Sequence, residues 1–423
     1  MENQAVRSEL MRRLANEQPR LVETAQRLIQ TPSENPPGNT AAIADVAVEL
    51  LSGVDGAEVE LVPSTEPIVN VVARIKGAVP GRRLIFNGHL DTFPAGDRAL
   101  WSDDPFAGKV ADGCLYGRGA SDMKGGLACT ILAFAMLAEV RDAWAGELVV
   151  TLAGDEETMG VLGSQYLLDT VPHATGDVMI CGDAGSPMVV RFGEKGMIWL
   201  EVTAEGRAAH GAHVHLGENA VERLMGALGA LVTLRDLPVA TPPEVADAID
   251  QAKEVSEAIS GAGETRVLTA LTVNIGTFSG GISPNLVPDR ARAGVDIRLP
   301  LGVTVAEVEA RIAQLLDPLA GVSYRIDRRY EPNWTDPDHE IVRLAVKNGQ
   351  EILGTAPVIN MRVGASDSRL YRRAGIPSIV YGLTPHNLGG GDEYATLDDL
   401  FAVFHVKAMT AFDFLSLPGD GIA

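Results

Sequence analysis

Short apolar segments alternate with helical segments in the first part of the chain, and this alternation constrains the fold more than any other feature. The stretches 123–140 and 162–168 have helical periodicity, and they lie among four strand-like runs: IVNVVARI, RLIFNG, ELVVTLAG and DVMICG. Strands that alternate with helices in this way are typical of a mostly parallel sheet with helices on both faces. We therefore predict an α/β fold for this part of the chain.

The pattern changes near Gly193. From there the order is strand, helix, strand, strand, with the helix at 218–234 and an added surface helix at 242–262. A helix at 303–316 indicates that the first pattern resumes. We therefore predict a larger α/β unit interrupted by a smaller α+β unit. The larger unit comprises residues 1–192 and 302–423, and the smaller one residues 193–301.

Composition excludes several classes of protein. The net charge of −21 over 423 residues disfavours nucleic acid and anionic membranes as partners, because binding a polyanion requires clustered Lys and Arg. No apolar run approaches the roughly 18 residues that span a bilayer, and the charged N-terminal segment lacks the apolar core of a signal peptide. Three cysteines without paired spacing suggest reduced thiols: Cys114, Cys129 and Cys181. We expect a cytoplasmic protein.

Potential metal ligands follow three of the predicted strands. His89 comes directly after RLIFNG, the Glu156–Glu157 pair follows ELVVTLAG, and Asp183 follows DVMICG. In open α/β sheets ligands bind beyond the carboxyl ends of the strands, so these clusters are expected to meet in space. Any one of these residues alone is more often a loop or helix-capping residue, and the combination is what indicates a site.

Further acids and a second imidazole complete the set. Asp91 is two residues after His89, Asp122 precedes a long helix, and His386 lies in TPHNLGGGDE. Two imidazoles and five carboxylates could hold two metal ions, and one of two adjacent glutamates could remain unligated as a general base. His210, in GRAAHGAH, fits a helper that faces the metals from outside. This combination predicts a hydrolase with a two-metal centre.

These motifs resemble a known family over nearly the whole chain. GHLDT, YGRGASDMKGG, DEE, GRAAHGAHVHLGENAV, SGGISPNLVPD with DIR, and PHNLGGGDEY occur in the order seen in the co-catalytic metallohydrolases. That family includes acetylornithine deacetylase, succinyl-diaminopimelate desuccinylase, aminoacylase and glutamate carboxypeptidase. The resemblance implies a catalytic domain, residues 1–192 and 302–423, and a lid domain, residues 193–301, that also forms a homodimer.

The resemblance also implies roles for individual residues. One ion would be held by His89, Asp122 and Asp183, and the other by Asp122, Glu157 and His386. Asp122 would bridge the two ions. In addition, Glu156 would be the general base toward a metal-activated water, Asp91 would orient His89, and His210 would stabilise the oxyanion, reaching a partner subunit's site.

The ligand types and the substrate leave alternatives open. Carboxylates with two imidazoles suit zinc by default, and manganese or cobalt would also be accommodated. By the resemblance, Asn285 and Arg298 match lid residues expected to contact a substrate carboxylate, and Arg369 in GASDSR is a second candidate. A guanidinium fork suits a carboxylate. We therefore expect cleavage of the amide C–N bond of a small N-acyl amino acid or a related carboxylate-bearing compound.

Two departures from the family pattern keep other substrates in view. His386 is separated from Glu393 by an extended NLGGGD, and Asp183 stands where deacylases more often carry glutamate. Aspartate there is similar to the family's aminopeptidases and dipeptidases. The alternatives are therefore a dipeptidase or aminopeptidase, or an aminohydrolase that releases ammonia from an unusual, for example aminoaromatic, amine. A non-catalytic metal-binding protein is the least favoured.

Overall fold

The structure is a computed structural model, and it describes residues 2–416. This part of the chain contains twelve α-helices: α1 (Glu2–Asn16), α2 (Gln18–Ile29), α3 (Ala41–Ser52), α4 (Lys124–Ala138), α5 (Ser164–Thr170), α6 (Ala220–Val232), α7 (Pro243–Ser260), α8 (Glu264–Thr269), α9 (Val305–Leu316), α10 (Glu340–Leu353), α11 (Ser368–Arg373) and α12 (Leu397–Ser416). It also contains eighteen strands: β1 (Glu58–Pro63), β2 (Val69–Lys76), β3 (Val79–His89), β4 (Lys109–Ala111), β5 (Cys114–Tyr116), β6 (Ala145–Ala153), β7 (Val178–Cys181), β8 (Val189–Glu194), β9 (Gly196–Glu205), β10 (Ala209–His210), β11 (Thr272–Gly280), β12 (Leu286–Val287), β13 (Arg290–Leu299), β14 (Val322–Tyr330), β15 (Asn333–Trp334), β16 (Val358–Arg362), β17 (Ser378–Val380) and β18 (Tyr394–Thr396).

A nine-stranded sheet forms the centre of the larger unit. Its order is β1-β2-β6-β3-β7-β17-β8-β15, and β16 pairs with β8 outside this path. The neighbours β6, β3, β7 and β17 are parallel, whereas β1 and β2 on one flank and β15 on the other pair antiparallel. The sheet is therefore mixed, with the predicted parallel arrangement at its centre.

Helices cover this sheet because its strands are apolar on both faces. All four residues of β7 and nearly all of β6 are buried, and α4 is buried along its whole length. A helix without a polar face must be covered on all sides, and α4 packs against β3 and β6 of the sheet and against its neighbours α2 and α12. One large apolar cluster results, and it fixes the loops at the carboxyl ends of β3, β6 and β7.

The smaller unit is a four-stranded antiparallel sheet in the order β11-β13-β9-β14. Its apolar face packs against α6 and α9 in a separate apolar cluster. This corrects the sequence prediction that the helix at 303–316 belongs to the larger unit. α9 packs in the smaller unit, where Val308, Ile312 and Leu316 are buried, and β14 pairs with β9 on both sides of a β-bulge between Ile326 and Arg328. The predicted boundary at residue 301 therefore falls inside this sheet-and-helix layer.

The helix predicted at 242–262 is present as α7, but it packs on the larger unit. Its buried stripe includes Val245, Ala248 and Ile249, which join the apolar cluster of the central sheet. The Ser256 hydroxyl also accepts a hydrogen bond from Asn360 in β16 (2.9 Å). Within residues 2–416 no helix is both long enough and apolar enough to cross a membrane.

Candidate metal centre

Three adjacent parallel strands end at one place. His89 is the last residue of β3, Asp183 lies two residues beyond β7, and Glu156 and Glu157 lie in a helical turn that begins three residues after β6. The register of β3 with both β6 and β7 brings these strand ends side by side. The structure thus gathers the three sequence clusters at the edge of the sheet where they were predicted to meet.

Three of the side chains form a tight group of donor atoms. The ligand atoms of His89, Asp122 and Asp183 all lie within 4.8 Å of one another, and this is the one such group found among the described residues. His89 Nε2 is 3.1 Å from Asp122 Oδ1. Burial disfavours the charged ring of His89, but the hydrogen bond to Asp122 and the nearby carboxylates outweigh burial and raise the pKa of His89. Asp122 directly precedes Met123, the N-cap residue of α4, and the Met123 side chain makes no capping hydrogen bond.

Asp91 acts on the glutamate turn as well as on His89. His89 Nδ1 lies 2.8 Å from the backbone carbonyl oxygen of Asp91, and 3.6 Å from its carboxylate. The carboxylate itself, fully buried, accepts the backbone N–H groups of Glu156 and Glu157 (3.1 Å each) and the side-chain amide of Asn35 (2.8 Å). The main chain of Asp91 therefore contacts the imidazole, and its side chain fixes the turn that carries both glutamates.

The two glutamates are mostly buried and lie among like charges. Burial, with Asp183 and Asp367 nearby, raises the pKa of Glu156 well above the usual carboxyl range. Burial, with Asp122 nearby, raises the pKa of Glu157 to about 10. The Oε1 atom of Glu157 is buried without a hydrogen-bond partner. A buried oxygen of this kind is costly unless a cation or proton satisfies it.

Two arginines that border the cluster have different surroundings. Arg369 lies with its Nη1 3.7 Å from Glu156, and both of its terminal nitrogens donate to backbone carbonyls, those of Ser366 (2.6 Å) and Met159 (2.7 Å). Sequence reasoning missed Arg362, which contacts both carboxylate oxygens of Asp183 (2.9 and 3.2 Å). Arg362 is the last residue of β16, which is parallel to β8 and therefore antiparallel to β17, so strand direction carried no signal that its side chain would reach Asp183.

His386 stands apart from the tight group. Its ring stacks on Tyr394, with ring centroids 4.4 Å apart and planes 4° from parallel, and it is partly exposed. Neither His386 nor Glu157 contributes to the group of donors within 4.8 Å found in the described chain. The tight group therefore matches the first predicted ligand set, and the second set shares only Asp122 with it.

The three residues predicted in the smaller unit have local contacts. His210 is exposed and its Nδ1 accepts the backbone N–H of Ala212 (3.1 Å). Asn285 is exposed and accepts from Ser283 (2.5 Å), and the Arg298 Nε donates to Asp296 (2.9 Å). Within residues 2–416, these hydrogen bonds do not connect the three side chains to the group of His89, Asp122 and Asp183.

Comparison with known proteins agrees with this geometry. Residues 85–411 match the model of peptidase family M20/M25/M40. The chain belongs to this family. It is 32% identical over 399 residues to a protein named succinyl-diaminopimelate desuccinylase from Methylorubrum extorquens, an alignment that covers 90% of this chain and 96% of the relative. This M20 family member is accordingly a metal-dependent hydrolase that acts on amide bonds.

Solved structures of M20 proteins share the fold. A metallo-carboxypeptidase from Sulfolobus solfataricus superimposes with a TM-score of 0.79 at 20% identity, over 93% of this chain and 99% of the other. A Bacillus subtilis protein described as a dinuclear metal binding peptidase superimposes with a TM-score of 0.62 at 15% identity, over 95% and 99%. At these identities the likeness establishes the shared fold.

The donor set of this M20 hydrolase fits divalent ions. One imidazole and two carboxylates already converge, and a further buried carboxylate oxygen, Glu157 Oε1, has no partner. Nitrogen and oxygen donors of these kinds bind zinc, manganese and cobalt. Among the described residues, His89, Asp122 and Asp183 are the group whose donor atoms are close enough to hold one ion together.

We expect bound ions to raise the melting temperature more at pH 8 than at pH 5.5. Burial raises the pKa of Glu157 to about 10 and that of Asp183 to about 6, whereas both acids have a pKa near 4 in an unfolded chain. The metal-free folded protein therefore retains protons that the unfolded chain has released, so its stability falls as the pH rises above about 4. Bound cations remove this penalty.

Thermal unfolding of metal-free and zinc-loaded protein at the two pH values measures this difference. Glu157→Gln should make the metal-induced shifts in melting temperature at pH 5.5 and pH 8 more alike, because the glutamine amide does not titrate. A metal-induced shift of equal size at both pH values would contradict the prediction.

Proposed function

We propose that the chain hydrolyses the amide bond of a small N-acylated amino acid or a related carboxylate-bearing compound, with Glu156 as the general base. The observation that carries this proposal is the position of Glu156. It lies beside the His89–Asp122–Asp183 group, mostly buried, on a turn held by Asp91. A carboxylate in such a place can accept a proton from an attacking water and return it to the leaving nitrogen.

The proposed division of roles follows from the contacts. When bound, two divalent ions would lower the pKa of a water and polarise the scissile carbonyl. His89, Asp122 and Asp183 would hold one ion, and Asp122, Glu157 and His386 the other. The Asp91 carboxylate positions the glutamate turn by accepting the backbone N–H groups of Glu156 and Glu157. Arg369, fixed by two carbonyls, keeps a positive charge beside Glu156 and limits how far its pKa rises.

Zinc is the proposed ion, with manganese or cobalt as alternatives, because the set combines imidazole and carboxylate donors. A cytoplasmic location is proposed from the cysteines, all three of which are free: Cys114, Cys129 and Cys181.

The proposed substrate carries a carboxylate. Arg298 and Asn285 in the smaller unit are proposed to bind it, and Arg369 is a third candidate that already lies at the cluster. The relative from Methylorubrum extorquens is named for removing a succinyl group from diaminopimelate, a substrate that bears carboxylates. A guanidinium can bind a carboxylate through two parallel hydrogen bonds.

Peptide cleavage is the second candidate, and one observation favours it. The Sulfolobus structure that shares the fold is described as a carboxypeptidase. A dipeptide presents the same amide bond next to a carboxylate, so the proposed machinery would act on it without change. The nature of the acyl group distinguishes the two candidates.

A substrate panel tests the proposal. Metal-loaded protein is incubated with N-acetyl and N-succinyl amino acids, dipeptides and aminoaromatic acids, and released amine and ammonium are measured, with Glu156→Ala as the control. Release of a free acyl acid that depends on Glu156 supports the deacylase, release of two amino acids supports the peptidase, and ammonium supports an aminohydrolase. No release from any class, with two ions bound, would contradict the proposal.

We further propose a homodimer formed along β11. This strand is an edge of the four-stranded sheet, and all of its residues from Asn274 to Gly280 are exposed. Ile275 and Phe278 are 41% and 48% exposed, and Ile282 in the following turn is 90% exposed. An open strand edge with apolar side chains favours pairing with another strand. Such a dimer would allow His210 to act at the partner subunit's site.

We expect Phe278→Asp to yield monomers and to lower kcat by about 100-fold or more, because losing one donor to a developing oxyanion typically costs 10²–10³-fold. Val79→Asp, which places a charge at a 58% exposed valine at the start of β3, is the matched control and should keep both properties. Light scattering after size-exclusion chromatography and initial rates measure the two effects. A fully active monomer would contradict a role for His210 across the interface.

A further inference from the structure

A buried ion pair lies next to the loop that carries Asp122. Its acid, Glu393, directly follows the extended NLGGGD segment after His386, where the sequence departs from the family pattern. Arg118 and Glu393 are each 1% exposed, and Arg118 Nη1 donates to Glu393 Oε2 at 2.5 Å. The other terminal nitrogen of Arg118 donates to the backbone carbonyl of Gly390 (2.9 Å). Arg118 therefore ties the start of the Asp122 loop to the extended NLGGGDE segment.

The Glu393 carboxylate accepts hydrogen bonds from the loop that carries Asp122. Oε1 accepts the backbone N–H of Ser121 (3.0 Å), the Ser121 hydroxyl (3.0 Å) and the backbone N–H of Asp122 (3.2 Å). Oε2 accepts the backbone N–H of Gly119 (3.2 Å) as well as Arg118. Successive backbone N–H groups that point to one anion form a concave anion site, and here a side chain of the same protein fills it.

The residue after Glu393 contacts the other side of the proposed centre. Tyr394 stacks on the His386 ring, and its backbone N–H donates to the His386 carbonyl (3.3 Å). Two consecutive residues, Glu393 and Tyr394, therefore contact the loop of Asp122 and the ring of His386. Because Asp122 and His386 belong to the same proposed ligand set, their separation depends on this dipeptide.

We propose that Glu393, held by Arg118, is a positioning residue that sets the position of Asp122 relative to His386 and thereby the affinity for the second metal ion. The inference rests on the proposed two-ion site. Groups that orient metal ligands without touching the metal typically alter affinity by about 10–100-fold. A purely structural ion pair would alter stability and leave both metal affinities unchanged.

Glu393→Gln is the sharpest variant. The amide is nearly isosteric, but whichever way it turns, its NH₂ group faces at least two hydrogen-bond donors. Asp413→Asn is the matched control, because Asp413 is also a buried carboxylate that accepts from an arginine, a lysine and an amide. Asp413 lies sixteen residues beyond the start of α12, about 24 Å along the helix from the Tyr394 side.

Equilibrium dialysis and calorimetry with Zn²⁺ measure the affinity of each of the two sites, and the visible spectrum of the Co²⁺ form reports on their geometry. None of these measurements depends on turnover. We expect Glu393→Gln to weaken the second ion by about 10–100-fold, to leave the first ion within a few-fold, and to change the Co²⁺ spectrum. Asp413→Asn should lower the melting temperature and keep wild-type binding. Glu393→Asp, which keeps the charge, should recover part of the affinity.

Ser121→Ala keeps the inference testable if Glu393→Gln does not fold, because it removes only the hydroxyl contact and should weaken the second ion several-fold. Unchanged affinity for both ions in either variant, with wild type binding two, would overturn the positioning role alone. Failure of the wild type to bind two ions would instead overturn the proposed centre, and the positioning role with it.

Discussion

Glu156→Gln is expected to lower kcat by about 10²–10⁴-fold while the protein still binds two metal ions, because removing a general base costs about that much. The glutamine keeps the volume of the side chain and does not disturb the backbone N–H that Asp91 accepts. The substitution removes the Glu156 carboxylate, whose pKa is raised by burial and by the nearby acids Asp183 and Asp367. KM should change little, because the base acts in the chemical step and is not proposed as a substrate contact.

Comparison with the neighbouring residue makes this prediction specific. Glu157→Gln should lower activity and also the metal content, because Glu157 is proposed as a ligand and its Oε1 has no other partner. Metal analysis by mass spectrometry and steady-state rates on the best substrate of the panel separate the two variants. Substantial turnover by Glu156→Gln, or equal metal loss in both variants, would show that the roles of the two glutamates are wrongly assigned.

The strand ends of the centre could be predicted because local patterns carry the necessary information. The apolar runs before His89, Glu156 and Asp183 identify buried parallel strands, and a parallel sheet places their carboxyl ends at one edge. This is a consequence of topology, so it does not require knowledge of any long-range contact. The presence of His89 and Asp183 in the tight donor group follows from it, whereas Asp122 joins them from the loop before α4.

The partners of these residues could not be predicted in the same way. Arg362 and Glu393 reach the cluster from strands and loops that lie 179 and 271 residues away from Asp183 and Asp122. Glu393 stands in the motif PHNLGGGDEY, but neither its neighbourhood nor that of Arg362 indicates which groups these side chains contact, because those contacts result from the packing of distant elements. A charge buried with a specific partner leaves no periodic signal in a single sequence.

The unit boundary shows a similar limit. α9 has a clear apolar stripe, and that stripe predicts a helix without stating which sheet it covers. In the structure this stripe packs in the apolar cluster of the smaller unit, and β14, which follows α9, pairs with β9 on both sides of a β-bulge between Ile326 and Arg328. Likewise the stripe of α7 fits either unit, and the docking of Arg191 onto Glu264 and Ser256 fixes it on the larger one. Tertiary contacts decided both assignments.

Substitution of Asp122 is expected to have the largest effect on metal binding, because it is the one residue in both proposed ligand sets. In the structure its carboxylate lies 3.1 Å from His89 Nε2 and belongs to the tight donor group with Asp183. Asp122→Asn keeps the volume but loses the negative charge that a bridging ligand needs between two cations. We expect it to lose both ions, with affinities lowered more than the roughly 10–100-fold typical of groups that only orient a ligand.

The number of ions retained by each variant tests whether Asp122 is shared. Asp183→Asn and His386→Ala should each retain one ion, Asp122→Asn neither, and Asp45→Asn, at an exposed position on α3, both. Dialysis followed by metal analysis gives these counts directly and does not depend on knowing the substrate. If Asp122→Asn retained one ion as His386→Ala does, Asp122 would serve a single ion, and the two sites would be independent. If Asp122→Asn loses both ions while Asp183→Asn and His386→Ala each keep one, Asp122 bridges the two sites.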